Sequence, residues 1–216
     1  MRKVHRIFVV DDHAVMRDGI RQILEQEEDL KVSGEAEDAP EARDAILEDL
    51  PDVVIVDISL AGSSGLDLIQ DLRIQVPTIK ILVMSMHEEM VFAERVLRAG
   101  ARGYIMKQAS GTELIRAIRS VLEGRIYLSD QTKDRILERL HSGPQTKRVD
   151  PFDELSTREI EVFQLIGRGY KTKEIAGQLK ISGKTVDTYR ERLKVKLGLS
   201  SSSELVREAI EWVHHG

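Results

Sequence analysis

Five short apolar runs, each followed by an amphipathic segment, fill roughly the first 125 residues and constrain the fold of this chain more than anything else in it. The runs lie at 7–10, 32–36, 53–56, 79–84 and 103–106, and the amphipathic segments at 15–26, 40–50, 65–73, 90–99 and 112–123. Strands that alternate with helices pair in parallel through right-handed crossovers, with helices covering both faces. FVV and VVIV are apolar without alternation, as strands buried on both sides are. The pattern predicts an α/β domain built on a doubly wound five-stranded parallel sheet in the order 2-1-3-4-5.

Four of the five runs end in polar residues: Asp11 and Asp12, Asp57 and Ser59, Ser85, and Lys107. Open α/β sheets bind ligands at the carboxyl ends of their strands, where these residues converge. Three carboxylates at one place repel one another, and a divalent cation relieves that. Mg²⁺ favours oxygen ligands and keeps waters and a phosphate in its shell. Lys107 adds a fixed positive charge. Such a setting suits phosphoryl transfer, with Asp57 as the nucleophile that forms an acyl phosphate and Ser85 as a hydroxyl that bonds the transferred group. Taken singly, an Asp after a strand is a common loop starter and Lys107 an ordinary surface residue. The reading rests on their joint placement.

After a further helix predicted at 130–140, HSGPQTKRVDP is the best linker in the sequence. Beyond it the pattern is all helical. Ser156 and Glu159 form a capping box that opens a helix to about 168. A second helix spans about 172–179. Ser182 caps a third that Gly198 stops, and the Ser200–Ser203 run starts a fourth. Two short helices joined by KIS, with Ile175, Leu179, Ile181 and Val186 inward, make a helix-turn-helix; the alternative is an ordinary helical hairpin.

The net charge of −5 argues against nucleic acid only as an average. Residues 1–150 carry 21 Lys and Arg against 27 Asp and Glu, whereas residues 151–216 carry 11 against 10. Positions 168–196 hold nine basic residues and three acids, a local excess of six. That is the footprint a phosphate backbone requires, and equally that of a solvated helix face. Cys and Asn are absent, which excludes disulfides, thiolate metal sites and N-glycosylation. No apolar run approaches a membrane span, and the apolar stretch near the N-terminus is too short for a signal peptide, so the chain is expected to be cytoplasmic with no membrane partner.

Residues 6–124 resemble the receiver domains of two-component response regulators. The resemblance rests on VVDDH, on VVIVDISLAGSSGLDL, on Ser85 and on GYIMK. It implies a flavodoxin-like receiver in which Asp57 takes a phosphoryl group from a sensor histidine kinase. Asp12, Asp57 and the Ser59 carbonyl would bind Mg²⁺ directly, with Asp11 acting through water. Ser85 and Tyr104 would form the switch, the hydroxyl moving to the phosphate and the ring turning inward, with Lys107 beside the phosphoryl group. Ala61 and Gln108 stand where the family often has Pro.

Residues 153–214 resemble the four-helix DNA-binding domain of the LuxR/NarL/FixJ class. The implied division is a receiver at 1–125, a linker helix and linker at 126–152, and a helix-turn-helix domain at 153–216. The implied partner is double-stranded DNA. On a recognition helix opening at Ser182, Asp187, Thr188 and Glu191 share a face able to read bases, with Arg192 exposed beside them. Lys173, Lys184, Thr185, Arg190 and Lys196 are backbone contacts, and Tyr189 stands where the family commonly has His. In the last helix Leu205, Ala209 and Trp212 have core spacing. Val206, Ile210 and Val213 form a second stripe, either core or a homodimer face.

The expected function is a phosphorylation-regulated DNA-binding transcription regulator whose only chemistry is its own phosphorylation and dephosphorylation. One alternative is a phosphorylation-independent DNA-binding regulator with a vestigial receiver. Another is an aspartyl-nucleophile phosphohydrolase, although that class wants a second Asp where Ser59 stands. Ser182–Thr185 ends like a P-loop but lacks its leading Gly and follows a helix. His214 and His215 are adjacent and unsuited to a metal. His13 and His87 are expected to be solvated loop residues flanking the acidic pocket.

Overall fold

A computed structural model describes residues 3–60, 64–141 and 151–215, and the chain divides into two compact units, Met1–His141 and Ser142–Gly216. The first unit alternates β1 (His5–Val10), α1 (Ala14–Leu24), β2 (Leu30–Ala36), α2 (Ala39–Asp49), β3 (Val53–Val56), α3 (Gly65–Gln75), β4 (Lys80–Ser85), α4 (Glu89–Ala99), β5 (Gly103–Met106) and α5 (Gly111–Leu122). All strand pairs are parallel, in the order β2-β1-β3-β4-β5. Each strand presents alternate residues to opposite faces. Ile7, Val9, Val53, Ile55, Leu82 and Met84 pack with Ile20 and Leu24 of α1 and with Leu114, Ile118 and Val121 of α5. Phe8, Val10, Val54, Val56, Ile81 and Val83 point to the other face and are equally buried. Two-sided burial is why these runs are apolar throughout.

Helix starts follow local chemistry. Asp38, Ser64 and Ser110 cap α2, α3 and α5, each accepting from the amide three residues on. After α5 the chain places Tyr127 beside β5, in a parallel bridge to Gly103, and then forms α6 (Asp130–His141). This helix was expected to be part of the linker, but it packs on α4 and falls within the first compact unit. The remainder of the expected linker, 142–150, lies outside the described residues, as does Ala61.

The second unit opens with a 3₁₀ turn, Pro151–Glu154, followed by α7 (Thr157–Gly167), α8 (Thr172–Gln178), α9 (Gly183–Leu197) and α10 (Ser202–His215). Its centre is α7, buried almost all round. A Cβ at Gly167 would overlap the Ala209 carbonyl, so glycine lets α10 cross α7 at close range. Phe152, Phe163 and Trp212 cluster beside this crossing, with ring centroids 5.4–5.7 Å apart. The capping box is present: Glu159 accepts from Ser156 N–H at 2.7 Å, and Ser156 Oγ accepts from Glu159 N–H at 3.3 Å.

Candidate functional site

The strand ends bring the predicted acidic cluster together. Asp11 directly follows β1 and Asp57 directly follows β3; both are buried, 2% and 4% exposed. Lys107, just past β5, places Nζ 2.6 Å from Asp11 Oδ2 and 2.7 Å from Asp57 Oδ2. The Ser59 amide donates to the other Asp57 oxygen at 3.0 Å. Burial pushes the Asp57 carboxyl up, while the Lys107 ammonium and the Ser59 amide pull it back only in part. Burial also opposes the charge on Lys107, but Asp57 and Asp11 more than reverse this and raise its pKa.

Two residues absent from the sequence reading shape this floor. A Cβ at Gly65 would overlap the Asp57 carbonyl oxygen, so the start of α3 can lie against the end of β3 only with glycine there. Arg17 Nη1 donates to the Asp11 carbonyl at 2.6 Å. A glycine at a predicted helix start was the one visible sign of the first. The second needs the turn from β1 into α1, which no pattern discloses.

The cluster fits a divalent cation. Ligand atoms of Asp11, Asp12, His13 and Asp57 all lie within 4.8 Å of one another. Three carboxylates against one ammonium leave a negative excess in a partly buried site. Asp12 Oδ1 is buried without a hydrogen-bond donor, though His13 Nδ1 approaches to 2.7 Å without making such a bond.

The histidines are not simply solvated. His13 donates its backbone N–H to Asp11 Oδ1 at 2.9 Å. His87 Nε2 lies 2.7 Å from Ser59 Oγ and so bridges the β4–α4 and β3–α3 loops. Ser85 is fully buried, and its Oγ accepts from His87 N–H at 3.2 Å. Tyr104, the expected switch partner of Ser85, has its ring inward, 1% exposed. Its hydroxyl, which burial holds protonated, donates to the His87 carbonyl at 2.9 Å. Among the described residues every peptide bond is trans, Lys107–Gln108 included.

In the second unit, α8 and α9 pack as a helix pair, with Ile175 and Val186 buried between them and Leu193 buried further along α9. Lys173, Lys184, Asp187, Thr188, Glu191 and Arg192 are exposed; Thr185, Tyr189 and Arg190 are half-buried. Thr188 donates its hydroxyl back to the Lys184 carbonyl at 3.0 Å. The Lys196 ammonium binds buried Glu159 at 2.7 Å and the Glu154 carbonyl at 3.0 Å. Lys196, expected at the phosphate backbone, thus also ties the end of α9 to the start of α7. On α10, Leu205 and Ala209 are buried. Val213 lies beside Gly167, and Val206 is half-buried, while Ile210 is 39% exposed.

A buried Asp–Lys–Asp cluster at the carboxyl edge of a parallel sheet, joined in one chain to a helix-turn-helix, defines a class: a DNA-binding regulator controlled at a carboxylate. Residues 7–119 match the response regulator receiver domain family, and residues 153–209 match the luxR family of bacterial regulatory proteins. Oxygen regulatory protein NreC of Staphylococcus epidermidis is 38% identical over 211 residues, covering 95% of this chain and 97% of its own. NreC of Staphylococcus aureus is 38% identical over 210 residues, with the same coverage. Among solved structures, Salmonella typhimurium RcsB superposes with a TM-score of 0.63 at 27% identity, covering 97% of this chain and 98% of that one. A LuxR-family response regulator from Aurantimonas matches 64% of this chain and 99% of its own, with a TM-score of 0.60 at 34% identity. The chain belongs to the two-component response regulators with a LuxR-type output domain, and is a phosphorylation-regulated DNA-binding transcription regulator. No described helix is long and apolar enough to cross a membrane.

Proposed function

We propose that Asp57 is the phosphoacceptor. The observation that carries this is the pairing of buried Asp57 with Lys107 and the Ser59 amide beside Asp11 and Asp12. A carboxylate oxygen of Asp57 attacks the phosphorus of a phosphohistidine on a sensor kinase. The O–P bond of an acyl phosphate forms as the P–N bond breaks, and the departing imidazole nitrogen takes the electron pair. Lys107 stabilises negative charge on the transferred group, and Ser85 supplies a hydroxyl to it. Asp12, Asp57 and the Ser59 carbonyl would hold Mg²⁺, with Asp11 acting through water, and the ion would supply charge neutralisation at the phosphoryl oxygens. The chain's chemistry is confined to gaining and losing this group.

Lys173, Lys184, Thr185, Tyr189 and Arg190 meet the DNA backbone, while Asp187, Thr188, Glu191 and Arg192 contribute to base reading. The solved RcsB structures include dimers bound to DNA. For this chain we propose homodimerisation through the α10 stripe of Val206, Ile210 and Val213, with exposed Ile210 at its centre. The receiver ends near residue 125, α6 is its trailing element, and the output domain starts at 153. A DNA-binding role supports a cytoplasmic location.

The test is phosphorylation in vitro. With Mg²⁺ and a small acyl phosphate donor, the wild type should gain one phosphoryl group labile to base and hydroxylamine, and Asp57→Ala should gain none. A wild type that gains none yet binds its DNA tightly would make the receiver vestigial.

A further inference from the structure

The chain leaving α5 is tied to the loops of the site itself. Tyr104 N–H donates to the Tyr127 carbonyl at 2.9 Å, and Tyr127 N–H donates to the Arg102 carbonyl at 3.0 Å. Two residues later, Ser129 N–H donates to Glu89 Oε1 at 2.8 Å. Ser129 is also the residue that starts α6, its Oγ accepting from Thr132 N–H at 3.3 Å. A carboxylate in the first turn of α4 therefore holds the capping residue of α6. Beside it Leu128 is buried, 5% exposed, but α6 itself buries little. Among the described side chains of α6 only Thr132 is buried, and Leu137 is 62% exposed. A helix that buries so few of its described side chains opens at low cost.

The other end of the same loop lies at the phosphoacceptor. His87 donates its N–H to Ser85 Oγ, accepts from Tyr104 at its carbonyl and contacts Ser59 through its ring. Only Glu88 separates it from Glu89. When a phosphoryl group on Asp57 draws the Ser85 hydroxyl away, His87 N–H loses its acceptor. The loop and the first turn of α4 must then find new hydrogen bonds. We infer that Glu89 is a clasp on α6: it holds the start of that helix in the unmodified chain and lets go when Ser85 turns to the phosphoryl group. The inference rests on the Asp57 reading above and adds the route by which that site's state reaches the segment leading to the output domain.

Hydrogen exchange of the full-length chain, read over residues 126–138 with β3 as the folded reference, tests it. Without any donor, Glu89→Ala should raise exchange there roughly tenfold while β3 stays protected, because a charge-assisted hydrogen bond is lost. Glu89→Gln keeps a neutral acceptor and should give a smaller rise, and it replaces the Ala variant if β3 is disturbed. With Mg²⁺ and the acyl phosphate donor, the wild type should show the same rise and Asp57→Ala none. Unchanged exchange in both Glu89 variants overturns the clasp. A wild type shown by mass to be phosphorylated, with exchange unchanged, overturns its link to Asp57. A wild type that takes up no phosphoryl group overturns the Asp57 reading and the link together, while the donor-free variants still decide the clasp.

Discussion

A methyl group at position 65 would collide with the backbone of Asp57 and Ile58, so a single hydrogen separates a formed site from a displaced one. Gly65→Ala should lower stability by about 1–3 kcal/mol, as overpacking does, and slow phosphoryl uptake; urea midpoints and donor kinetics check the two effects. In the output domain the basic residues divide by what they already hold. Lys196 is committed to Glu159. Lys196→Ala should cost about 1–3 kcal/mol of domain stability, because it strands a buried carboxylate. Lys184 is exposed, so Lys184→Ala should weaken binding to all DNA sequences and reduce the salt slope by about 1, measured by titration at several salt concentrations. Residue type alone could not separate these two lysines. One sits on the outer face of α9 and the other at its end, above a buried acid. His87 was illegible for a similar reason, since its partner Ser59 lies 28 positions away on another loop.

The α7 start shows how far an element can be read before it is seen. The S-x-x-E spacing disclosed the capping box, but not that its glutamate would be buried at 2% exposure and shared with α9. Burial raises the Glu159 carboxyl, yet the Lys196 ammonium and the Ser156 donors outweigh it and hold the group below the usual Glu range. A lowered folded pKa contributes stability above the unfolded value and loses it as pH falls through the folded one. Acidifying from about pH 5 should therefore destabilise the wild-type output domain more steeply than Glu159→Gln, which thermal melts at stepped pH would show. In the receiver, strand burial was legible because parallel strands covered on both faces must be apolar. The placement of α6 was not. Its sequence is polar, and what docks it is a carboxylate from α4 and a backbone bridge to β5.

At the scale of the whole molecule, each unit has a buried core of its own, the sheet core in one and the α7–α10 core in the other. Residues 1–141 expressed alone should fold and take up the phosphoryl group, and residues 151–216 alone should fold as a helical domain; circular dichroism melts and donor labelling of the two pieces check this. The division of charge, acidic before residue 150 and locally basic across 168–196, follows the same boundary. Sequence alone determined the strand–helix alternation, the carboxylates at the strand ends, the helix caps and the two-part plan. Each depends on periodicity, on near neighbours, or on the rule that parallel strands present their carboxyl ends to one edge. Only the tertiary structure decided that Gly65 must be bare, that His87 spans two loops, that Lys196 reaches Glu159 and that Glu89 reaches Ser129. Those depend on distances between residues remote in the chain, and packing sets such distances where no local pattern does.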